Sequence, residues 1–159
     1  MLRLHGLDIS VYTRIARLTA EEKGLAIELV PLDPFTDGAA DAVDWPALQP
    51  FRRIPVLDHG GFRLYETAAI ARYLDALAPE PALVPAAPQP AARMAQAIGI
   101  LDAYGYRAMV WDLFVEERRD SGPAGDGPDS AVVARGRDTA ARVLRALDRL
   151  RGGEPFLAG

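Results

Sequence analysis

Leu2-Arg3-Leu4-His5 alternates apolar and polar side chains and stops at Gly6, the period-two pattern of a short strand. Ser10 then stands where an N-cap is wanted, ahead of a helix running to Lys23. That helix carries Val11, Ile15 and Leu18 along one face, and Gly24 follows to end it. Ile27 to Leu32 is a second strand, and its Pro31, which cannot donate to a ladder, puts it at a sheet edge. A parallel crossover of this β-α-β kind is almost always right-handed. Residues 33–53 are polar and irregular, with a short helix expected between Ala39 and Leu48. Ile54-Pro55-Val56-Leu57 reads as a strand, His59-Gly60-Gly61 as a turn and Phe62 to Tyr65 as the hairpin partner. From Thr67 to Leu77, Ile70, Leu74 and Leu77 fall at helical spacing. Residues 1–78 therefore predict β-α-β followed by β-β-α, a small mixed sheet with helices packed against it.

Residues 79–90 hold Pro79, Pro81, Pro85, Pro88 and Pro90, a semi-rigid linker and the sharpest boundary in the chain. Residues 91–159 change character to long amphipathic helices. One is predicted from Ala91 to Arg119. After a Gly/Pro/Asp loop (Asp120 to Asp129), Ser130 can cap a second, with a stripe of Ala140, Val143, Leu144, Leu147 and Leu150. Arg135, Arg142, Arg145 and Arg149 lie off that stripe. No internal repeat is visible.

Composition narrows the chemistry. The 159 residues suit one ordinary domain, or a small domain plus part of another, and 50% hydrophobic with 25% charged is a globular balance. With no cysteine, disulfide scaffolds, Cys-ligated metal, Cys-x-x-Cys redox chemistry and cysteine nucleophiles are excluded. His5 and His59 are too few for a histidine metal cluster and poor material for a hydrolase triad, so no metal is expected. A net charge of −4 disfavours nucleic acid as a partner. Lys23 is the single lysine among 18 basic residues; with the abundant alanine this reads as codon bias in a GC-rich, bacterial genome. No signal-peptide core is present near the start, and the most apolar helix is interrupted by Asp102, Arg107 and Asp112, so neither export nor a membrane span is expected. The expected location is the cytoplasm.

Three segments together resemble one family. Gly6-Leu7-Asp8-Ile9-Ser10-Val11-Tyr12-Thr13-Arg14, followed by Glu22-Lys23-Gly24, looks like the opening of a serine-type cytosolic glutathione transferase of the phi/theta-like group. Gln49-Pro50-Phe51-Arg52-Arg53-Ile54-Pro55-Val56-Leu57 resembles the segment leading into that family's cis-proline, and Tyr65-Glu66-Thr67-Ala68-Ala69-Ile70 its Glu-Ser step into a helix. The proline-rich linker and helical remainder agree with the same plan. The resemblance implies a thioredoxin-like α/β domain (β-α-β-β-β-α, mixed sheet, cis-proline) over 1–78, a linker over 79–90, and part of an all-α domain over 91–159.

The activity so implied is attack by the glutathione thiolate on an electrophilic alkyl or aryl carbon, as in detoxification, by a homodimer. Glutathione is then co-substrate and a hydrophobic electrophile the second ligand. A free thiol with pKa near 8.5 is mostly protonated at neutral pH. A hydroxyl donor at a helix N-terminus lowers that value, and two units of lowering correspond to roughly 2.7 kcal/mol. Ser10 has both attributes, although a Ser before a helix is more ordinarily a plain N-cap. Tyr12 and Thr13 are fallback hydroxyls in the same turn. By the resemblance, the Ile54 backbone beside a cis Pro55 pairs with the cysteinyl backbone of glutathione. Glu66 takes the γ-glutamyl ammonium, Thr67 with its helix N-terminus the γ-glutamyl carboxylate, and Arg53 the glycyl carboxylate. Each has an ordinary alternative: a trans proline, a helix cap, a solvated arginine. Tyr104, Arg107 and Trp111, with Phe114, are the expected electrophile pocket, though such a stripe equally suits a core or a dimer contact.

The chain also departs from the family pattern. Asp8 stands where proline is usual, and a carboxylate near a thiolate opposes its ionisation. Arg52 stands in place of a glycine. The helical domain stops after Phe156-Leu157-Ala158-Gly159, where the family pattern continues through further helices, so an incomplete second domain is expected. These departures favour the rival reading, a non-catalytic binding or dimerisation module on the same fold.

Overall fold

In the computed structural model, residues 1–35, 43–120 and 125–157 are described. The chain divides into two compact units, Met1–Leu83 and Val84–Gly159, and the division falls inside the proline-rich segment.

The first unit is built on strands β1 (Leu2–Gly6), β2 (Ile27–Pro31), β3 (Val56–His59) and β4 (Phe62–Tyr65), in the order β2-β1-β3-β4. β1 pairs parallel with β2, as a β-α-β crossover requires, and antiparallel with β3, which pairs antiparallel with β4. Pro31 does end an edge strand. The hairpin turns at Gly60 and Gly61, both at positive φ (56° and 87°), the geometry of the tight turn that glycine admits without strain. Pro55 lies outside the ladder; β3 begins two residues later than predicted and runs on to His59. Of the helix expected between Ala39 and Leu48, Trp45–Leu48 forms (α2), with Asp44 accepting from the Ala47 N–H; residues 39–42 lie outside the described residues.

Helix α1 (Val11–Glu22) and helix α3 (Thr67–Leu77) pack on each other, and their buried residues join those of the sheet. The core is Leu2, Leu4, Ala16, Ala20, Leu57, Ile70 and Leu74. Here α1 differs from its sequence pattern. Val11, Ile15 and Leu18, the expected inner face, are exposed, and the buried positions are Thr13, Ala16 and Ala20. Small side chains let α1 lie close to its neighbours, so size, not hydrophobicity alone, decides which stripe turns inward. α1 ends in a full Schellman motif: Gly24 at φ 64° sends its N–H to Glu21, and Leu25 sends its own to Ala20. Lys23, buried at that end, donates to Asp75 Oδ1 at 2.7 Å and to the Pro81 carbonyl, while Asp75 also accepts the Leu83 N–H. The chain's one lysine therefore ties α1, α3 and the segment after α3 together.

In the second unit, helix α4 (Pro88–Ile100) starts three residues ahead of the predicted Ala91. Pro88 and Pro90 sit in its first turn, where a missing N–H costs nothing. Beyond Ile100 the helix continues with wider winding through Leu101–Gly105 and Arg107–Val115, closing bonds such as Tyr106 N–H to Leu101 O, then tightens over Glu116–Arg118. Helix α5 (Ser130–Arg151) is capped by Asp129, one residue before the expected Ser130; Asp129 accepts from the N–H groups of Ala131 and Val132. Its own N–H donates to Glu116 Oε1, joining the two helices at that end. α5 meets the wide helix through small residues. A Cβ on Gly136 would stand 2.8 Å from Asp112 Cβ and 3.1 Å from the Ala108 carbonyl. Among the described residues no helix is long and apolar enough to cross a membrane.

Candidate glutathione site

The paired register places three of the predicted site elements at one end of the first unit. The last rung across β1, β3 and β4 is His5, Val56 and Tyr65. One residue past it lie Gly6, Pro55 and Glu66, where β1 leaves the sheet, β3 enters it and β4 hands over to α3. Gly6 is followed by a turn in which the Ser10 N–H donates to the Leu7 carbonyl (3.1 Å), setting Ser10 at the mouth of α1. Ser10, Ile54-Pro55 and Glu66-Thr67 are thus brought to one end by strand pairing alone.

Ser10 caps α1 from an extended backbone (φ −67°, ψ 126°), its Oγ accepting from the Thr13 N–H at 3.4 Å. The cap uses an oxygen lone pair, while donation to a sulfur would use the hydroxyl proton. The two roles set against each other by the sequence are therefore compatible in one side chain. The fallback hydroxyls fare differently. Thr13 is completely buried, its Oγ1 without a hydrogen-bond partner and pressed on Gly6, where an added Cβ would lie 2.4 Å away. That position takes its hydroxyl off the surface a ligand sulfur would approach. Tyr12 is half-buried.

The Ile54–Pro55 peptide bond is cis, with Pro55 buried and Ile54 half-buried just outside the ladder. Ahead of it the loop is shaped by Gln49, which the sequence offers only as the first residue of the segment leading into Pro55. Its buried side chain accepts the N–H groups of Phe51 (2.7 Å) and Arg53 (3.0 Å) through one oxygen. Arg52 adopts φ 51°, the left-handed region that suits the glycine it replaces, with its guanidinium 5.8 Å from the Trp45 ring centre. Arg53 is exposed. Glu66 also has positive φ (72°, ψ 113°), exposing its carboxylate while its carbonyl accepts the Ile70 N–H at 2.9 Å. Strain of this kind, about 1 to 3 kcal/mol for a non-glycine residue, concentrates at ligand sites. Thr67 is the first residue of α3, among N–H groups that have no intrahelical partner.

Tyr104, Arg107 and Trp111 belong to the second unit, on the widely wound helix, and all three are exposed. Arg107 donates to Asp112 at 2.8 Å, a pair five residues apart that suits the wider turn. None of the three is part of that unit's core, so the core alternative for the stripe does not hold within this chain.

A thioredoxin-like α/β unit followed by an all-helical unit defines a class of protein, and comparison with known sequences and structures narrows it. Residues 4–82 match the family model "Glutathione S-transferase, N-terminal domain". Glutathione S-transferase 3 of Zea mays is 31% identical over 162 residues, spanning 99% of this chain and 70% of the relative. A glutathione S-transferase from Methylobacterium radiotolerans, solved with glutathione sulfonate, superposes with a TM-score of 0.76 at 29% identity, covering 99% of this chain and 70% of that one. The theta-class glutathione S-transferase of Xanthomonas axonopodis pv. citri, solved with glutathione bound, gives 0.80 at 27% identity over 99% and 73% of the two chains. The chain belongs to the glutathione S-transferase family.

Proposed function

We propose that this chain is a glutathione transferase of the serine type, which binds reduced glutathione at the sheet end described above and presents its thiolate to an electrophilic carbon. Ser10 Oγ donates to the sulfur at the N-terminus of α1, where the helix dipole favours an anion. Ile54 offers backbone N–H and C=O beside the cis Pro55, Glu66 meets the γ-glutamyl ammonium, Thr67 and the start of α3 meet the γ-glutamyl carboxylate, and Arg53 meets the glycyl carboxylate. The thiol proton leaves to solvent, and the sulfur forms one bond to carbon as the leaving group departs with its electron pair.

Tyr104, Arg107 and Trp111 are proposed to line the electrophile's pocket, the electrophile being hydrophobic, with no metal taking part. We place the enzyme in a bacterial cytoplasm, as a homodimer acting in detoxification, with domains over 1–78 and 91–159 joined by the 79–90 linker. The observation that supports the reading best is the convergence of Ser10, Ile54-Pro55 and Glu66-Thr67 just beyond one rung of the sheet in a chain of this family. The test is conjugation of glutathione to a chromogenic electrophile. Ser10→Ala is expected to keep glutathione binding and lose roughly 10- to 100-fold in kcat/KM, the share of thiolate lost when its pKa rises one to two units. Binding with no conjugation, unchanged by Ser10→Ala, would instead make the chain a binding module.

A further inference from the structure

The carboxylate of Asp8 sits two residues from Ser10, inside the turn that delivers Ser10 to α1. Alone, it would oppose a thiolate there. It is not alone: Arg17, two turns into α1, donates through its guanidinium to Asp8 Oδ1. The pair is solvent-facing, Asp8 73% and Arg17 35% exposed by side chain, so it adds little to folding stability. Its effect falls on the local field instead, because a carboxylate with a guanidinium against it acts as a short dipole whose reach is much smaller than that of a bare charge.

We propose that Arg17 is a positioning residue for this site, acting through Asp8: it cancels the one carboxylate in the turn before Ser10 and so keeps the thiolate favourable. The inference rests on the reading of Ser10 given above. The other charged groups are arranged as follows. Arg14 lies on the first turn of α1, Arg52 and Arg53 precede β3, and Glu66 opens α3. Asp33 follows β2 and accepts the Phe35 N–H. Arg72 and Asp75 lie further along α3, Asp75 taken up by Lys23, and Glu21 and Glu22 lie at the far end of α1. His5 is held by Asp58 at 3.0 Å. None of these is bonded to Asp8, so removing Arg17 leaves its carboxylate uncompensated.

The test titrates the thiol of bound reduced glutathione by thiolate ultraviolet absorbance in the wild type, Asp8→Asn, Arg17→Gln and the double variant. Two unit charges 8 to 10 Å apart in water shift one another by roughly 0.3 pH unit, about a twofold change in thiolate fraction at neutral pH. Arg17→Gln is expected to raise the bound thiol's pKa by about that much at low salt. Asp8→Asn, which leaves the Arg17 cation unpaired, should lower the pKa by a comparable amount, the double variant should stay close to the wild type, and both single-variant shifts should collapse in about 1 M salt, where the Debye length is near 3 Å. All four proteins should share one urea midpoint, which separates the effect from damage to the fold. An Arg17→Gln titration identical to the wild type, or a shift that persists in the double variant, overturns the inference while leaving the Ser10 reading intact. Bound glutathione that titrates like free glutathione in the wild type overturns both.

Discussion

The cores of the two units are filled by side chains of different size. In the first, large side chains fill the centre of the core: Leu4, Leu57, Ile70 and Leu74 are completely buried, between a sheet whose register is fixed rung by rung and two helices, although Val11, Ile15 and Leu18 of α1 stay exposed. In the second, the buried residues among those described are small, Ala97, Gly105, Ala108, Gly127, Gly136, Ala140 and Val143, and none of the larger apolar side chains is fully buried. Tyr104 is 62% exposed, Phe114 57% and Leu144 56%. A sheet with covering helices closes its own core. Two helices in close backbone contact bury one narrow seam and, among the described residues, leave large apolar side chains exposed on their outer faces. The first unit therefore closes a core of large side chains, whereas the second buries a seam of small ones.

That contrast is most directly broken by truncating one leucine in each unit. Leu57→Ala removes a fully buried side chain and should cost about 2 to 5 kcal/mol in urea unfolding. Leu144→Ala should change stability by no more than about 0.5 kcal/mol, since its side chain is already in water. Equal losses would mean that Leu144 is covered in solution, and that the second unit closes its core with another surface.

A smaller effect sharpens the description of the helical seam. On propensity alone Gly136→Ala would stabilise α5 by about 1 kcal/mol. The new methyl, however, would stand 2.8 Å from Asp112 Cβ and 3.1 Å from a carbonyl oxygen, contacts that backbone cannot yield cheaply. The expected net result is a loss of about 1 to 2 kcal/mol, measured as a lower urea midpoint with unchanged helix content by circular dichroism. A stabilised variant would show that the two helices are not in backbone contact at this crossing.

How far each unit was legible in the sequence follows from the same difference. In the first, alternation in Leu2–His5, the Gly60-Gly61 turn and the Thr67 start of α3 each have a local cause, and each lies where its residues put it. The inner face of α1 is not legible from hydrophobicity, which favours Val11, Ile15 and Leu18, because packing selects Thr13, Ala16 and Ala20 for size. Of the candidate site, the motif residues could be placed because strand order carries them to one end. The supports were not legible: Gln49 bridging two amides, Thr13 seated on Gly6, and Arg17 reaching Asp8 are relations across a turn that no periodicity announces. In the second unit the helix winds more widely after Ile100, so side chains that a 3.6-residue period aligns do not share one face there. One signal was available there: Gly105, Ala108, Gly136 and Ala140 are small residues at near-helical spacing on both helices, which marks a close crossing.

The smallest expected effect tests whether the first unit's surface is as tightly specified as its core. Asp58, on β3, accepts two bonds from Arg63 of β4, at 2.7 and 2.9 Å, and lies 3.0 Å from His5 Nε2 of β1, so one carboxylate links three strands. The Arg63 guanidinium holds the Asp58 carboxyl below its ordinary value; burial pulls the other way and His5 adds to the lowering. A carboxyl with a folded pKa below its unfolded one binds its proton more readily when unfolded. Its contribution is therefore complete above the unfolded value, near 3.9, and is lost as pH falls through the folded value beneath it. Arg63 is partly exposed, which limits the contribution to less than about 1 kcal/mol. Asp58→Asn should accordingly unfold slightly earlier in urea than the wild type at pH 6 to 7, with the gap closing in acid once the wild-type carboxyl is protonated. A gap that stays constant down to the acid limit would mean that Asp58 holds the three strands by shape and neutral hydrogen bonds, with its charge contributing nothing.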